Sequence, residues 1–375
     1  MSQKVSNPLE TQFTRDWGLE YPIVSFGHCR DVIIEITKAG GFGVYGVAGM
    51  SPDEIDREIT FIEQQVGGRP FGVDVIVSGS MPATGNREEF EAQIPQEHWD
   101  WIQKLREEFN IPDFRHPDGT MINGRPREQR MFTQEVARAQ LEVLLEHRVP
   151  LFACAQGNPA FIIPEMHQRG VKVLGLIGLV RQARREHEAG VDYIVAHGQD
   201  GGGHCGPIGT FTLTPQVVKA CPGTSILAAG GVGCGRQVAA SLMLGAQGVW
   251  TGTAWLTSRE HDIDPMAQEK ILGARSEDTI RNNWGDGAFR RHATGPLDLR
   301  WHDADAPPVL PRPMQSMLTR ELMLQIADNK VENVYYPTGT GQGAGLLNEV
   351  KPARQIMEEW ANECLEAFEE RGMLS

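Results

Sequence analysis

Eight short apolar runs recur along this 375-residue chain, with helical patterns between most of them. Such runs are typical of strands that are buried on both faces, and their alternation with helices indicates parallel β/α units rather than hairpins. Eight units of this kind close most economically into a (β/α)₈ barrel, the TIM barrel, whose active site lies at the C-terminal ends of the strands. The predicted strands are 21–26, 42–46, 71–77, 151–155, 171–177, 193–196, 225–229 and 249–253.

Helix boundaries are marked by capping residues. Ser51 and Glu54 are spaced for a capping box at the start of a helix predicted over 51–66. Gly190 predicts the end of a helix over 182–189, because glycine readily adopts the left-handed conformation that closes a helix.

Two stretches interrupt the alternation of strands and helices. Residues 78–130 are polar and rich in proline and charge, with one amphipathic helix predicted at 97–109, and they are interpreted as an insertion after the third strand. Residues 258–329 are also polar, with a cluster of prolines, and they predict a C-terminal cap or lid that contributes to substrate binding. The barrel itself is predicted to comprise residues 1–257 and 330–375.

The composition excludes some partners. Aspartate and glutamate outnumber lysine and arginine by 49 to 35, and this excess argues against nucleic acid, which needs basic surfaces. The six cysteines form no CxxC pair, which predicts free thiols in a reducing compartment. Residues 1–16 lack the apolar core of a secretory signal, and no run of about eighteen apolar residues occurs, so we expect a cytoplasmic protein with no membrane segment. The sequence leaves open whether the protein forms a homo-oligomer.

A glycine run follows the sixth predicted strand. His197 comes directly after that strand, and three glycines, 201 to 203, precede His204. Glycines at a strand end let a flat ligand approach the backbone closely, and a histidine can gain or lose a proton near neutral pH. We therefore predict that His204 is a general base at the mouth of the barrel.

Two further glycine loops follow the seventh and eighth predicted strands. Gly230 and Gly231 follow the seventh, and the eighth ends in Thr251, Gly252 and Thr253. In TIM barrels these two loops commonly bind a phosphate through backbone N–H groups and a helix N-terminus. The alternative is that they are plain turns between strands and helices.

Other roles for these residues are less favoured. His197 and His204 could bind a metal, but Asp200 is the only further ligand nearby, so no metal is predicted. Cys205 is not predicted to be a nucleophile, because neighbouring residues of an extended loop usually point apart. Asp74, in the third predicted strand, could bond a ligand ring or cap a turn.

These motifs resemble a known family. The segment 198–206 is similar to the Gly-x-Glu-Ala-Gly-Gly-His-x-Gly motif of the nitronate monooxygenases, formerly called 2-nitropropane dioxygenases. Other segments resemble that family in the same order over 17–77, 132–256 and 335–370. These segments are Tyr21-Pro22-Ile23, Ala39-Gly40-Gly41-Phe42-Gly43, Ala228-Ala229-Gly230-Gly231-Val232, Gly252-Thr253 and Gly341-Gln342-Gly343.

The resemblance implies a TIM barrel that binds FMN without a covalent bond and oxidises alkyl nitronates, or nitroalkanes, with O₂ to a carbonyl compound and nitrite. His204 matches the family's catalytic histidine. The resemblance places the phosphate at Gly231, Gly252 and Thr253. The full set of expected cofactor contacts is Pro22, Ile23, Val24, Asp74, His197, Gly202, Gly203, Gly230, Gly231, Trp250, Thr251, Gly252 and Thr253.

The chain departs from the family pattern near the expected flavin. Asp74 stands where the family usually has asparagine, and His197 where it has glutamine. Asp200 and Gly201 replace the Glu-Ala of the motif, and 25–27 reads Ser-Phe-Gly instead of Ala-Pro-Met. These changes leave the substrate open.

Two other functions are alternatives to nitronate oxidation. One is an FMN-dependent NAD(P)H reductase of enoyl or quinone substrates on the same barrel. The other is a barrel that binds FMN or another phosphate ligand without catalysis.

Overall fold

The computed structural model describes residues 6–77, 87–112, 133–337 and 339–374. Eight parallel strands form a closed barrel in the order β1-β2-β3-β4-β5-β6-β8-β9, and pairing of β9 with β1 closes it. This confirms the predicted TIM barrel. The barrel strands are β1 Ile23–Gly27, β2 Phe42–Gly46, β3 Gly72–Asp74, β4 Leu151–Cys154, β5 Lys172–Ile177, β6 Tyr193–His197, β8 Ser225–Ala229 and β9 Gly248–Thr251.

Three short strands form a second, antiparallel sheet in the order β10-β11-β7. They are β7 Gly203–His204, β10 Thr279–Asn282 and β11 Arg290–Ala293. The α-helices are α1 Gln12–Trp17, α2 Arg30–Lys38, α3 Pro52–Val66, α4 Arg87–Glu91, α5 Gln96–Glu108, α6 Gln134–His147, α7 Ile163–Gln168, α8 Val180–Ala189, α9 Thr210–Ala220, α10 Gly235–Met243, α11 Pro265–Leu272, α12 Pro296–Arg300, α13 Met314–Asp328 and α14 Ala353–Glu369.

Local signals placed several helices correctly. Ser51 and Glu54 form the predicted capping box at the start of α3. Gly190 ends α8 in the left-handed conformation, with φ of 91°. The third strand was predicted too long: β3 covers only Gly72–Asp74, and Val77 makes an isolated bridge to Gly157. The apolar run continues to Val77 because those residues stay buried after the strand has ended.

Helix α1 closes the N-terminal end of the barrel. Phe13 is fully buried and contacts Phe42 and Tyr193 edge to face, at centroid distances of 5.8 and 5.3 Å. Both partners begin their strands, so Phe13 fills the bottom of the interior. Burying a side chain of this size contributes roughly 2 to 3 kcal/mol. The other end of the barrel stays available for a site.

The insertion and the cap segment share one hydrophobic cluster. Helix α5 comes from the insertion, while the helices α12 and α13 and the strands β10 and β11 come from the segment 258–329. Trp284 and Trp301 stack at 5.7 Å, and Trp101 of α5 meets Trp301 edge to face at 6.0 Å. The buried members of the cluster are Ile94, Trp101, Ile102, Leu105, Ile111, Trp284, Leu297, Trp301, Leu318, Leu322, Ile326 and Val334.

The sequence interpretation treated these two stretches as separate. For residues 87–112 the structure joins the insertion to the cap; residues 78–86 and 113–130 of the insertion lie outside the described residues. Within the described ranges, no helix is both long and apolar enough to span a membrane.

Candidate active site

A cavity of about 2200 Å³ lies at the C-terminal end of the barrel strands. It is lined by strand ends, by the glycine run and by residues of the cap segment such as Met323 and Leu324. Eleven of the predicted site residues line it, from five different places in the chain. They are Asp74, His197, Gly202, Gly203, His204, Gly230, Gly231, Trp250, Thr251, Gly252 and Thr253.

Pro22, Ile23 and Val24, also expected to contact the cofactor, are not among the lining residues. Ile23 packs against the outer helices, and Val24 points into the barrel core. All three lie near the start of β1, whereas the cavity is at its end. The residues of this strand that reach the cavity are Phe26 and Gly27, followed by His28. The ring of Phe26 stacks on Trp250 at 5.3 Å.

The glycine run is packed tightly against its neighbours. A Cβ added at Gly201 would meet Nε2 of His197 at 2.0 Å, and one added at Gly202 would meet the carbonyl oxygen of Gly339 at 1.8 Å. No larger residue fits at either position without displacing these groups. The first two glycines of the run are therefore required by close approach, while Gly203 has a positive φ of 72°.

The loops after β8 and β9 lie side by side, because these two strands are neighbours in the barrel. Gly230 and Gly231 have positive φ values of 108° and 73°. The Thr253 side chain accepts a hydrogen bond from the N–H of Gly341 at 3.0 Å. The two predicted phosphate loops thus line one wall of the cavity, with the segment around Gly341 fixed behind them.

His204 is tied to the cap by strand pairing. The glycine run was interpreted as an extended loop, but Gly203 and His204 form β7 and pair with Arg291 and Arg290 of β11. A strand of two residues has no pattern that sequence reasoning can detect. This pairing fixes the backbone of His204 at the wall of the cavity.

The imidazole of His204 is bonded at both nitrogens. Nε2 lies 2.7 Å from Oδ2 of Asp286, and Nδ1 lies 2.9 Å from Nε2 of Gln156. Arg312 completes the cluster: its Nη1 donates to Oε1 of Gln156 at 2.7 Å, and its Nη2 contacts both Asp286 and His204 Nε2. The His204 side chain is 30% exposed, so it stays reachable from the cavity.

The contacts of Gln156 favour one position for the proton on neutral His204. Arg312 has only donors, so Gln156 must present its oxygen to Arg312 and its NH₂ group to His204. Nδ1 of His204 is therefore the acceptor, and the proton lies on Nε2, where it is donated to Asp286. The nitrogen that can accept a further proton is Nδ1.

Comparison with known proteins places the chain in a family. The sequence model of the family described as nitronate monooxygenase matches residues 29–363, from the end of the first strand into the final helix. The chain belongs to the nitronate monooxygenase family. It is therefore an oxidoreductase built on a TIM barrel.

Individual proteins agree with the family assignment. The chain is 34% identical to a putative monooxygenase of Mycobacterium tuberculosis, over 96% of this chain and 97% of the relative. It resembles the solved structure of a nitroalkane oxidase from Streptomyces ansochromogenes, with a TM-score of 0.77, 25% identity and coverage of 96% and 99%. FabK from Thermotoga maritima is also similar, with a TM-score of 0.74, 26% identity and coverage of 97% and 99%.

Asp286 and Arg312 were missed by sequence reasoning. They lie 82 and 108 residues from His204 in the chain, within the segment interpreted only as a cap. Burial raises the pKa of Asp286, but the hydrogen bond from His204 and the positive charge of Arg312 outweigh it, so the pKa lies well below its ordinary value. Asp286 is thus a carboxylate. The only local signal was the turn-like Gly-Asp-Gly sequence around it.

Asp74 and His197, the two residues that depart from the family pattern near the expected flavin, are both buried at the cavity. Burial lowers the pKa of His197 to about 4, so its ring is neutral at neutral pH. Burial raises the pKa of Asp74 to about 7, although a hydrogen bond from the N–H of Ala155 to its Oδ1, at 2.8 Å, opposes that rise. Asp74 is therefore half protonated near neutral pH, and it can then donate a hydrogen bond as asparagine would.

The remaining side chains near the glycine run have structural roles. Oδ2 of Asp200 accepts the N–H of Thr210 at 2.7 Å. Cys205 is buried, and burial raises the pKa of its thiol, which does not favour a nucleophile. In the part of the chain that the structure describes, the side chains close enough to share a metal ion are Cys29, His261 and Asp262, not the histidines of the glycine run.

Proposed function

We propose that this protein oxidises alkyl nitronates, and nitroalkanes after their deprotonation, to carbonyl compounds and nitrite with O₂ and bound FMN, with His204 as the general base. Two nitronates and one O₂ balance two carbonyl compounds and two nitrite ions. The observation that carries the proposal is the His204 imidazole at the cavity wall, whose Nδ1 faces the Gln156 amide while Nε2 faces Asp286.

The cavity suits a flat phosphorylated cofactor. Nδ1 of His197 is buried and has no hydrogen-bond partner in the described part of the chain, and it belongs to a residue that lines the cavity. Gly230, Gly231, Gly252 and Thr253 would hold the phosphate, while His197 and Asp74 would bond the ring. When bound, FMN supplies the electron acceptor for the oxidation.

The protein's part in the reaction is proton transfer and orientation. A nitroalkane is activated by removal of the proton on the carbon next to the nitro group, and Nδ1 of His204 is the group that would take it. A nitronate has already lost that proton. His204 is therefore needed for the neutral substrate and dispensable for the preformed anion.

His204→Asn tests this assignment. The variant should lose about 100-fold or more in kcat/KM with a neutral nitroalkane, the usual contribution of a positioned base, and much less with the preformed nitronate. His167→Asn is the matched control, because His167 bonds Asp192 away from the cavity. Equal losses on both substrates would contradict the role of base, and retained flavin with no turnover on either would point to a site that only binds.

The cavity volume supports a second candidate. Ligand pockets usually measure about 300 to 1000 Å³, so about 2200 Å³ leaves room for a second large ligand beside FMN. An NAD(P)H-dependent reductase would need that room. Anaerobic bleaching of the flavin by NADH or NADPH, with no response to a nitronate, would favour the reductase.

A further inference from the structure

The cap contributes charged groups directly to the candidate base. Asp286 lies in the loop between β10 and β11, and Arg312 lies just before α13; both contact His204. Asp286 is itself fixed, since its Oδ1 accepts the N–H of Ala288 at 3.1 Å. Its side chain is 18% exposed, so the contact with His204 is largely shielded from water.

We propose that Asp286 is a positioning residue that acts through His204, holding the proton of the neutral imidazole on Nε2 and stabilising the imidazolium that forms when Nδ1 takes a proton. The proposal rests on the proposed function for its catalytic consequence only. The positioning itself is a property of the protein without substrate.

Arg312 makes Asp286 necessary. Its Nη2 contacts Nε2 of His204 as well as the carboxylate of Asp286. An arginine donor facing Nε2 favours the tautomer with the proton on Nδ1, which would leave the base without an acceptor toward the cavity. The Asp286 carboxylate accepts hydrogen bonds both from Arg312 and from the N–H at Nε2 of His204. Without Asp286, Nε2 of His204 would therefore face only the Arg312 donor, and the neutral ring would carry its proton on Nδ1.

Other groups near His204 decide how strongly its protonation depends on Asp286. Arg290 pairs with His204 across β11 and β7, and burial lowers its pKa without removing its charge near neutral pH. His197 is neutral because burial lowers its pKa. The charged groups in direct contact with the ring are Arg312 and Asp286. Loss of Asp286 leaves an environment that opposes protonation of His204.

Gln156 acts as a cover for Nδ1 in this arrangement. Its NH₂ group occupies the lone pair that must accept the substrate proton, while Arg312 holds its oxygen. The Gln156 amide must therefore turn away as the substrate carbon approaches. Asp286 keeps the ring in place during that exchange, because its contact is with the opposite nitrogen.

Nitrogen-15 NMR of histidine-labelled holoenzyme tests the positioning without any substrate. A His204→Gln spectrum identifies the His204 signals. The wild-type ring should show the tautomer protonated at Nε2, and Asp286→Ala should shift it largely to the Nδ1 tautomer. Asp305→Ala is the control, since Asp305 is a cap aspartate that is 52% exposed and bonded to Lys104. An unchanged His204 tautomer in Asp286→Ala overturns the proposal.

Kinetics then separate the positioning from the proposed function. With a neutral nitroalkane, Asp286→Ala should lose about 100-fold in kcat/KM, and with a preformed nitronate less than about threefold. If the tautomer changes but wild-type protein acts on neither substrate, the positioning stands and the nitronate function fails. If Asp286→Ala does not fold, Asp286→Asn replaces it: loss of the carboxylate charge should move the acid limb of the nitroalkane pH profile to lower pH, and an unmoved limb overturns the proposal.

Discussion

The ring of His197 lies directly against the backbone of Gly201, where an added Cβ would meet Nε2 at 2.0 Å. This contact links the strand end of β6 to the glycine run and leaves Nδ1 of His197 buried with no partner among the described residues. The pair defines one wall of the cavity.

Gly201→Ala should displace His197 and weaken flavin binding by roughly tenfold or more, while the protein stays folded. The reason is steric, because the new methyl group and the imidazole cannot occupy the same space. Fluorescence titration of the apoprotein with FMN measures the effect. Gly209→Ala is the control, since its Cβ would meet nothing closer than 3.7 Å. Equal affinity in Gly201→Ala and wild type would exclude this packing.

Asp74→Asn should flatten the dependence of stability on pH. The pKa of Asp74 is raised from 3.8 to about 7 in the folded protein, so folding favours its protonated form. Its contribution to stability is therefore present below about pH 4, declines as pH rises, and is lost above about pH 7.

Urea unfolding at several pH values between 4 and 8 measures this slope. Asp303→Asn serves as the control, because Asp303 is 50% exposed on the cap. The Asp74 variant should lose the decline attributed to this residue, whereas the control should keep it. Identical profiles for Asp74→Asn and wild type would mean that the carboxyl is ionised throughout.

Asp298→Ala should destabilise the protein by about 3 to 5 kcal/mol, because it leaves several buried donors without an acceptor, each at a cost of about 1 to 3 kcal/mol. Oδ1 of Asp298 accepts from Asn282, Trp284 and His292 at 2.6 to 2.7 Å, and Oδ2 accepts the N–H of Gly295 at 2.7 Å. Alanine leaves all four donors buried. Urea unfolding compares it with Asp303→Ala, and a loss below about 1 kcal/mol would show that the donors find other partners.

Leu105→Ala tests the core shared by the insertion and the cap. Leu105 is fully buried in that cluster, so its truncation should cost about 2 to 5 kcal/mol in the free energy of unfolding. Leu299→Ala, at a cap position that is 63% exposed, should cost less than about 0.5 kcal/mol. Similar free energies of unfolding for the two variants would mean that α5 does not depend on the cap.

The barrel was predictable because its strands are buried on both faces and their apolar runs are continuous, as in 193–196 and 225–229. The glycine loops could be placed by counting strands, which brought Gly231 and Gly252 to one wall. The cap was harder, because its short elements have mixed polarity and part of their buried surface packs against α5, far away in the sequence. No local pattern indicates such a distant contact.

The candidate site was likewise predictable where the signal is local and unpredictable where it depends on distant contacts. His204 was found from the glycines beside it, whereas Asp286 and Arg312 reach it from 82 and 108 residues away. Pro22, Ile23 and Val24 were assigned to the cofactor from a resemblance at the start of a strand, but ligands of a TIM barrel lie at the strand's other end, where this chain has Phe26 and His28. Tertiary pairing, not local sequence, supplies these parts.

We expect this barrel to bind a flavin that nitronates reduce. The most direct measurement is the visible spectrum of the purified protein, followed by anaerobic addition of propionate 3-nitronate and then of air. We expect flavin absorption that bleaches with the nitronate, and nitrite once air is admitted. A flavin band that ignores the nitronate but is bleached by NAD(P)H, or the absence of any flavin from protein reconstituted with FMN, would contradict the account.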